Sequence, residues 1–204
     1  MRKLVVVLFL ACAGSAWGQF FEAWFNGGQS LLSNSGLGSP LPAEQGGNKN
    51  DYQLEDGFRF SFRMDLNNDS HFGHEVQYAY SRTKLRTSAS LSGGAATEEG
   101  MAIHQGGYNF LLYATPEGTR IRPFATGGVM FANYVPPGAS ATYGGGDNKF
   151  GFNYGGGVKM RLTSLFGVRV DVRQYTTPKP FSLPYLREGW LRQTEISAGF
   201  GVMF

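Results

Sequence analysis

"GFRFSFRMDL", residues 57–66, alternates without a break. Phe58, Phe60, Phe62, Met64 and Leu66 share one parity, and Gly57, Arg59, Ser61, Arg63 and Asp65 share the other. Successive side chains of an extended strand point to opposite faces, so the stretch predicts a strand with one apolar and one ionic face. Two environments accept such a strand. In a soluble sandwich the phenylalanines meet a core and the arginines meet water. In a membrane barrel the phenylalanines touch lipid and the arginines are enclosed. The rest of the chain decides between them.

The chain of 204 residues suits one domain, and its mean hydropathy of −0.23 excludes a bundle of membrane helices. The long apolar run is at the start, "MRKLVVVLFLACAGSAWGQF". Arg2 and Lys3 form a positive head, Leu4 to Ala13 a short apolar stretch, and Ala16-Trp17-Gly18 a small-residue cleavage site. This pattern predicts a secretory signal over residues 1–18, too short for a stable span, followed by one domain over 19–204. Cleavage removes Arg2 and Lys3, which leaves 16 basic against 15 acidic residues and gives no charge-based reason to expect a nucleic-acid partner. Cleavage also removes Cys12, the only cysteine, so the mature domain has no disulfide and no thiolate chemistry.

Thirty glycines and 15% aromatic residues point to β structure. Besides residues 57–66, strands are predicted at about 20–30, 71–82, 102–113, 120–132, 149–162, 167–176 and 189–204. Phe150, Phe152, Tyr154, Val158, Met160 and Leu162 oppose Gly151, Asn153, Gly155, Gly157, Lys159 and Arg161. Val168, Val170 and Val172 oppose Arg169, Asp171 and Arg173. The fifth strand is less regular, and Pro123 must lie near its end or at a bulge. Short connections ("NNDS", "ATPEGT", "TSLF") alternate with long ones at about 31–55, 83–101, 133–148 and 177–188. An up-and-down barrel sends all short turns to one end and all long loops to the other, the pattern of outer-membrane barrels.

This asymmetry, together with apolar segments of membrane-crossing length, sets the orientation. Outward arginines would each cost ~2–4 kcal/mol at the bilayer midplane. Turned inward, Arg59, Arg63, Lys159, Arg161, Arg169 and Arg173 meet Asp65, Glu75, Asp171 and Glu195 in a narrow lumen that side chains fill. Glycines 151, 155, 157, 199 and 201 share the inward parity and are expected to leave room for the arginines. The fold expected is therefore an all-β, eight-stranded antiparallel up-and-down transmembrane β-barrel. A secreted soluble sandwich is the rival.

The chain ends on "FGVMF". Ile196, Ala198, Phe200, Val202 and Phe204 alternate as apolar residues up to a terminal phenylalanine. This ending resembles the targeting signal of Gram-negative outer-membrane barrels, although Val202 stands where that family often has tyrosine. Residues 19–204 as a whole resemble the small eight-stranded barrels typified by the transmembrane domain of outer membrane protein A, without that protein's peptidoglycan-binding domain. The resemblance implies residence in the bacterial outer membrane, contact with its lipid, and recognition of the last strand by the barrel-assembly machinery.

Candidate chemical sites are weak beside their structural alternatives. Asp65, Asn67 and Asp69 match the start of a calcium loop, but Ser70 replaces the required glycine and Val76 the closing glutamate, so a tight turn is the better reading. His71 and His74 fall on opposite faces of a strand, His104 is isolated, and "YGGGVK" lacks the helix a phosphate loop needs. No catalytic, cofactor or metal site is predicted. The role expected is non-enzymatic, structural or surface-interacting, with the lumen plugged by ionic side chains and with flexible long loops facing outside for an unknown extracellular ligand. A narrow channel for ions or small solutes and a lipid-modifying enzyme are the alternatives.

Overall fold

The computed structural model describes residues 19–68, 71–140 and 145–204. The predicted signal segment, and Asp69 and Ser70 of the predicted first turn and calcium loop, lie outside the described residues. Eight long strands form the wall: β1 (Gln19–Ser33), β4 (Gly57–Asn68), β5 (Phe72–Thr87), β6 (Thr97–Tyr113), β7 (Ile121–Val135), β8 (Asp147–Arg161), β9 (Phe166–Pro178) and β11 (Trp190–Met203). Three short strands lie in the long connections: β2 (Gly36–Ser39), β3 (Tyr52–Leu54) and β10 (Tyr185–Leu186). A single turn of helix, α1 (Ala89–Ser92), follows β5.

Every wall strand pairs antiparallel with its two neighbours in chain order. The seam closes where β1 pairs both β4 and β11, so that Phe25 lies between Phe62 and Phe200. No wall strand is left with an open edge, which is the only way extended backbone satisfies its polar groups inside lipid.

Burial settles the orientation. Phe60 and Val170 are 58% and 53% exposed, whereas Arg63 and Arg173 are 0% exposed. A soluble sandwich would reverse these values. The outer wall is a continuous apolar surface, with rings touching across strands: Phe25–Phe62 at 4.9 Å and Phe25–Phe200 at 5.9 Å between centroids.

The wall strands follow the alternation of the sequence, and two departures have physical causes. β5 and β6 each run five residues beyond their predicted ends and pair up to Thr87↔Thr97. Their outward positions change there from apolar to charged (Arg82, Lys84, Arg86, Glu98), so the hairpin continues where the lipid pattern stops; Lys84 and Glu98 pair at 2.8 Å. Pro123 is the third residue of β7, as a proline near a strand end should be, and the alternation after it is blurred by Gly127 and Gly128.

An arginine placed on the lipid face tests this orientation. Phe62→Arg is expected to lower the unfolding free energy of the protein in lipid vesicles by ~2–4 kcal/mol. The folded wild type should show a compact, heat-modifiable band on gels. An unaltered urea midpoint for the variant would contradict a lipid-facing Phe62.

Candidate functional site

The inward parity of the wall builds the one constellation of charged chemistry at the centre of the molecule. From the end bearing the termini upward, Lys159 pairs with Glu22 and, at 2.6 Å, with Asp65. Asp65 also takes Arg169 at 3.0 Å, and Arg169 reaches Glu75 and Asp171, each at 2.7 Å. Arg173 bridges the same two carboxylates at 2.5 and 3.0 Å. Arg63 links Asp171 at 2.9 Å to Glu195 at 2.7 Å, and Arg59 ends the chain on Glu195 at 2.9 Å. Five cations thus meet five carboxylates in one unbroken, neutral network. Neutrality matters because an uncompensated charge in this buried interior would cost several kcal/mol.

Hydrogen bonds occupy much of the remaining polar capacity. Asn153 donates to Asn109, and Asn109 to Glu75. Ser197 and Tyr175 both donate to Glu195. Above them, Gln105 donates to Gln193, and Gln193 to Ser30 and Ser81.

Nine of the ten ionic residues singled out from the sequence lie in this network, and Arg161 does not. Arg161 sits at the turn-end rim, where its Nη2 donates to Glu117 at 2.7 Å and Arg122 binds the same carboxylate. Three charged residues, Glu22 of the network and Arg122 and Glu117 of the rim, were not read from the sequence. Glu22 was obscured because Trp24, two residues on, puts an indole on the inward face and breaks the expected polarity; Trp24 donates to Glu22 at 2.8 Å, and the Lys159 ammonium lies 5.4 Å from its ring centroid. Arg122 flanks Pro123 in the irregular strand, and Glu117 lies in a turn.

The inward glycines also serve a different purpose from the one expected. Only Gly155 clears an arginine, since a Cβ there would meet Arg173 Cγ at 3.0 Å. A Cβ at Gly201 would meet the Trp24 indole, and one at Gly151, Gly157 or Gly199 would meet first the carbonyl of Thr176, Val170 or Phe25 and then the side chain of Thr177, Phe124 or Asn26. These glycines therefore make room for the adjacent strand and its inward side chains.

Asp65, the first of the candidate calcium ligands, is held by Lys159 and Arg169. His74 and His104 face outward and hydrogen-bond Tyr108 at 2.5 Å and Tyr78 at 2.7 Å. Among the described residues no group of three or more histidine, cysteine, aspartate or glutamate side chains is arranged to hold a metal ion.

The loop end is closed by apolar packing. Met101, Ile103, Met130, Ala132, Tyr134, Tyr175 and Leu191 from the wall enclose Leu37 of β2 and Leu54 of β3. Phe181 and Leu183 pack on the same cluster from the last long connection. The first and last long connections, expected to be flexible, are therefore packed over the barrel mouth, and the β5–β6 connection joins the first through Asp51. Asp51 ties them together: it accepts from Ser39 and Ser88 at 2.6 Å, from the Asn48 amide at 2.9 Å and from Ser90 at 3.2 Å. Burial works against its charge, but these four donors outweigh burial and hold the carboxyl below the usual aspartate range. Lys179 donates to the Gly36 carbonyl across the same cap, and burial together with the neighbouring Arg187 charge pushes it down to about 8.

A closed eight-stranded wall, an enclosed ionic lumen and a lipid-matched exterior now stand together. Residues 4–204 match the family described as outer membrane protein beta-barrel domain. The chain belongs to this family. No curated protein matches it in sequence. Among solved structures, Neisserial surface protein A is similar with a TM-score of 0.54 at 14% identity, covering 92% of this chain and 99% of that one. The outer membrane protein AlkL, solved in lipid bilayers, gives 0.55 at 16% identity, covering 92% and 90%. Ail, the attachment invasion locus protein of Yersinia pestis, solved with the heparin analogue sucrose octasulfate, gives 0.50 at 12%, covering 92% and 99%. These likenesses show a shared fold. By the rule of the family, the end with the tight turns and termini faces the periplasm and the long loops face the exterior.

Two outcomes follow from the lumen and its cap. Glu75→Gln leaves Arg169 and Arg173 short of a counter-charge and is expected to cost about 3–5 kcal/mol, read from urea unfolding in detergent; a loss below 1 kcal/mol would mean that water already solvates the pair. The Asp51 carboxyl is lowered in the folded state, so its contribution is complete above the ordinary aspartate value and disappears as pH falls through the lowered one. Pepsin cleavage of the loops in wild type should therefore accelerate only below the ordinary aspartate range, whereas Asp51→Ala should be cut rapidly throughout. Equal rates for the two proteins would rule Asp51 out as the tie.

Proposed function

We propose that this protein is a closed outer-membrane wall element that presents an ordered loop surface to the exterior, with a structural or surface-interaction role and no part in solute passage or catalysis. One observation carries the reading: the lumen is obstructed twice, by the neutral ionic network through its lower and middle parts and by the Leu37–Leu54 apolar cluster at its mouth. A conduit needs neither, and an ion would have to displace buried pairs to pass. The Asp51 tie and the three short strands give the loops a fixed shape, which suits recognition because loops ordered on a rigid frame bind at a small entropy cost.

The last strand is read as the address for assembly. Ile196, Ala198, Phe200 and Phe204 point outward, and Phe204 closes the seam: its amide donates to the Phe21 carbonyl at 2.8 Å and its ring lies 5.8 Å from that of Phe21. A strand that must be recognised before closure and then zipped to β1 fits capture by the barrel-assembly machinery. Residues 1–18 are read as the cleaved secretory signal, from the positive head, the short apolar stretch and the small-residue site before Gln19.

Planar-bilayer recording tests the closed reading. Purified protein at high salt is expected to give no steady conductance steps. Reproducible single-channel openings would replace the wall element with the narrow-channel alternative.

A further inference from the structure

The rim cluster below the ionic network is not neutral. Arg122 and Arg161 share the single carboxylate of Glu117, so the lumen and its periplasmic mouth together hold seven paired cations against six carboxylates among the described residues. Arg122 is 3% exposed, and its guanidinium carbon lies over the Tyr113 ring, 3.7 Å from the centroid. Among the described residues, its Nε and Nη2 have no hydrogen-bond partner, and neither has Nε of Arg161. Buried guanidinium donors without acceptors are costly, and the excess cation is Arg161, whose side chain is half-buried at the rim and open to a ligand. Beside Arg161 lies a cavity of ≈ 210 Å³, lined by Phe20, Glu117, Gly118 and Arg161, with Arg122 behind this lining. Phe20 has the inward parity of Glu22 and Trp24, on the wall opposite the β6–β7 turn, so this cavity is the vestibule of the barrel's periplasmic end.

We propose that Arg161, backed by Arg122 behind the shared Glu117 carboxylate, forms a binding site for a small oxyanion, of the phosphate or carboxylate type, entering from the periplasmic side. Planar guanidinium forks match the paired oxygens of such groups, and a single negative charge would balance the rim. Glu117 holds the two arginines side by side and competes with the ligand for them. The site goes beyond the closed-wall reading and does not depend on what the loops recognise.

Calorimetric titration of inorganic phosphate into the folded protein in an uncharged detergent, with chloride holding ionic strength constant, tests the site. Wild type is expected to show saturable binding of one phosphate. Arg161→Gln, at the more exposed rim position, should weaken it by about tenfold, and Glu117→Gln should tighten it by about tenfold, since a like charge beside the ligand is removed. A purely internal brace predicts the opposite pattern: no saturable heat in wild type, and no gain in Glu117→Gln. Either of those results overturns the proposal. The heat-modifiable gel band confirms folding of each variant, and if Arg161→Gln fails to fold, the sign of the Glu117→Gln effect decides. Repeating the titration in phosphatidylcholine vesicles with and without phosphatidylglycerol separates the sources. Unchanged binding identifies a free oxyanion, and displacement by phosphatidylglycerol identifies a lipid headgroup phosphate at the same site.

Discussion

The balance of charge along the lumen governs the rest of this structure. Once lipid claims the apolar parity of every wall strand, the ionic parity has nowhere to go but inward, into a space too narrow to hold much water. Arg59, Arg63, Lys159, Arg169 and Arg173 are tolerable there only because Glu22, Asp65, Glu75, Asp171 and Glu195 arrive at matching heights from other strands. Register and electrostatics are therefore one constraint. A slip of one strand by one residue would turn its arginines to the hydrocarbon and strand its partners inside, so the network fixes pairing that the uniform outer face does not.

The wall was legible in the sequence because its two environments differ so sharply. The alternation Phe58-Arg59-Phe60 and Val170-Asp171-Val172 carries strand type, orientation and lumen membership at once. Legibility failed where a residue's chemistry disagreed with its side. Trp24 is an aromatic residue that faces inward, so Glu22 beside it went unassigned; Arg122 was obscured by the proline next to it and the glycines beyond. The loops were misjudged for a related reason. Gly, Ser and Asn around Leu37 look like unstructured connection, but a single leucine on a four-residue strand is enough to anchor that connection when an apolar cup awaits it. Such long-range matches leave no local periodicity to read.

The two ends of the lumen solve different problems. The exterior end is sealed by hydrophobic packing, which needs loops from distant parts of the chain and admits charge only where, as at Asp51 and Lys179, hydrogen bonds hold it. The periplasmic end is sealed by a short turn that places one carboxylate between two guanidinium groups. The first seal makes the exterior face a surface; the second leaves a charged vestibule.

The hairpin of β5 and β6 stays paired well past the point where its outward side chains turn polar, from Arg82↔Ala102 to Thr87↔Thr97. Five further residues of strand lift its tip by roughly 17 Å along the strand direction. This extension does not stand alone: β3 pairs with the same stretch of β5, from Tyr52↔Thr87 to Leu54↔Leu85, and Asp51 holds Ser88 and Ser90 beside the turn at Ala89–Ser92. The hairpin tip and the first long connection therefore move as one body, and a change in either reshapes the other.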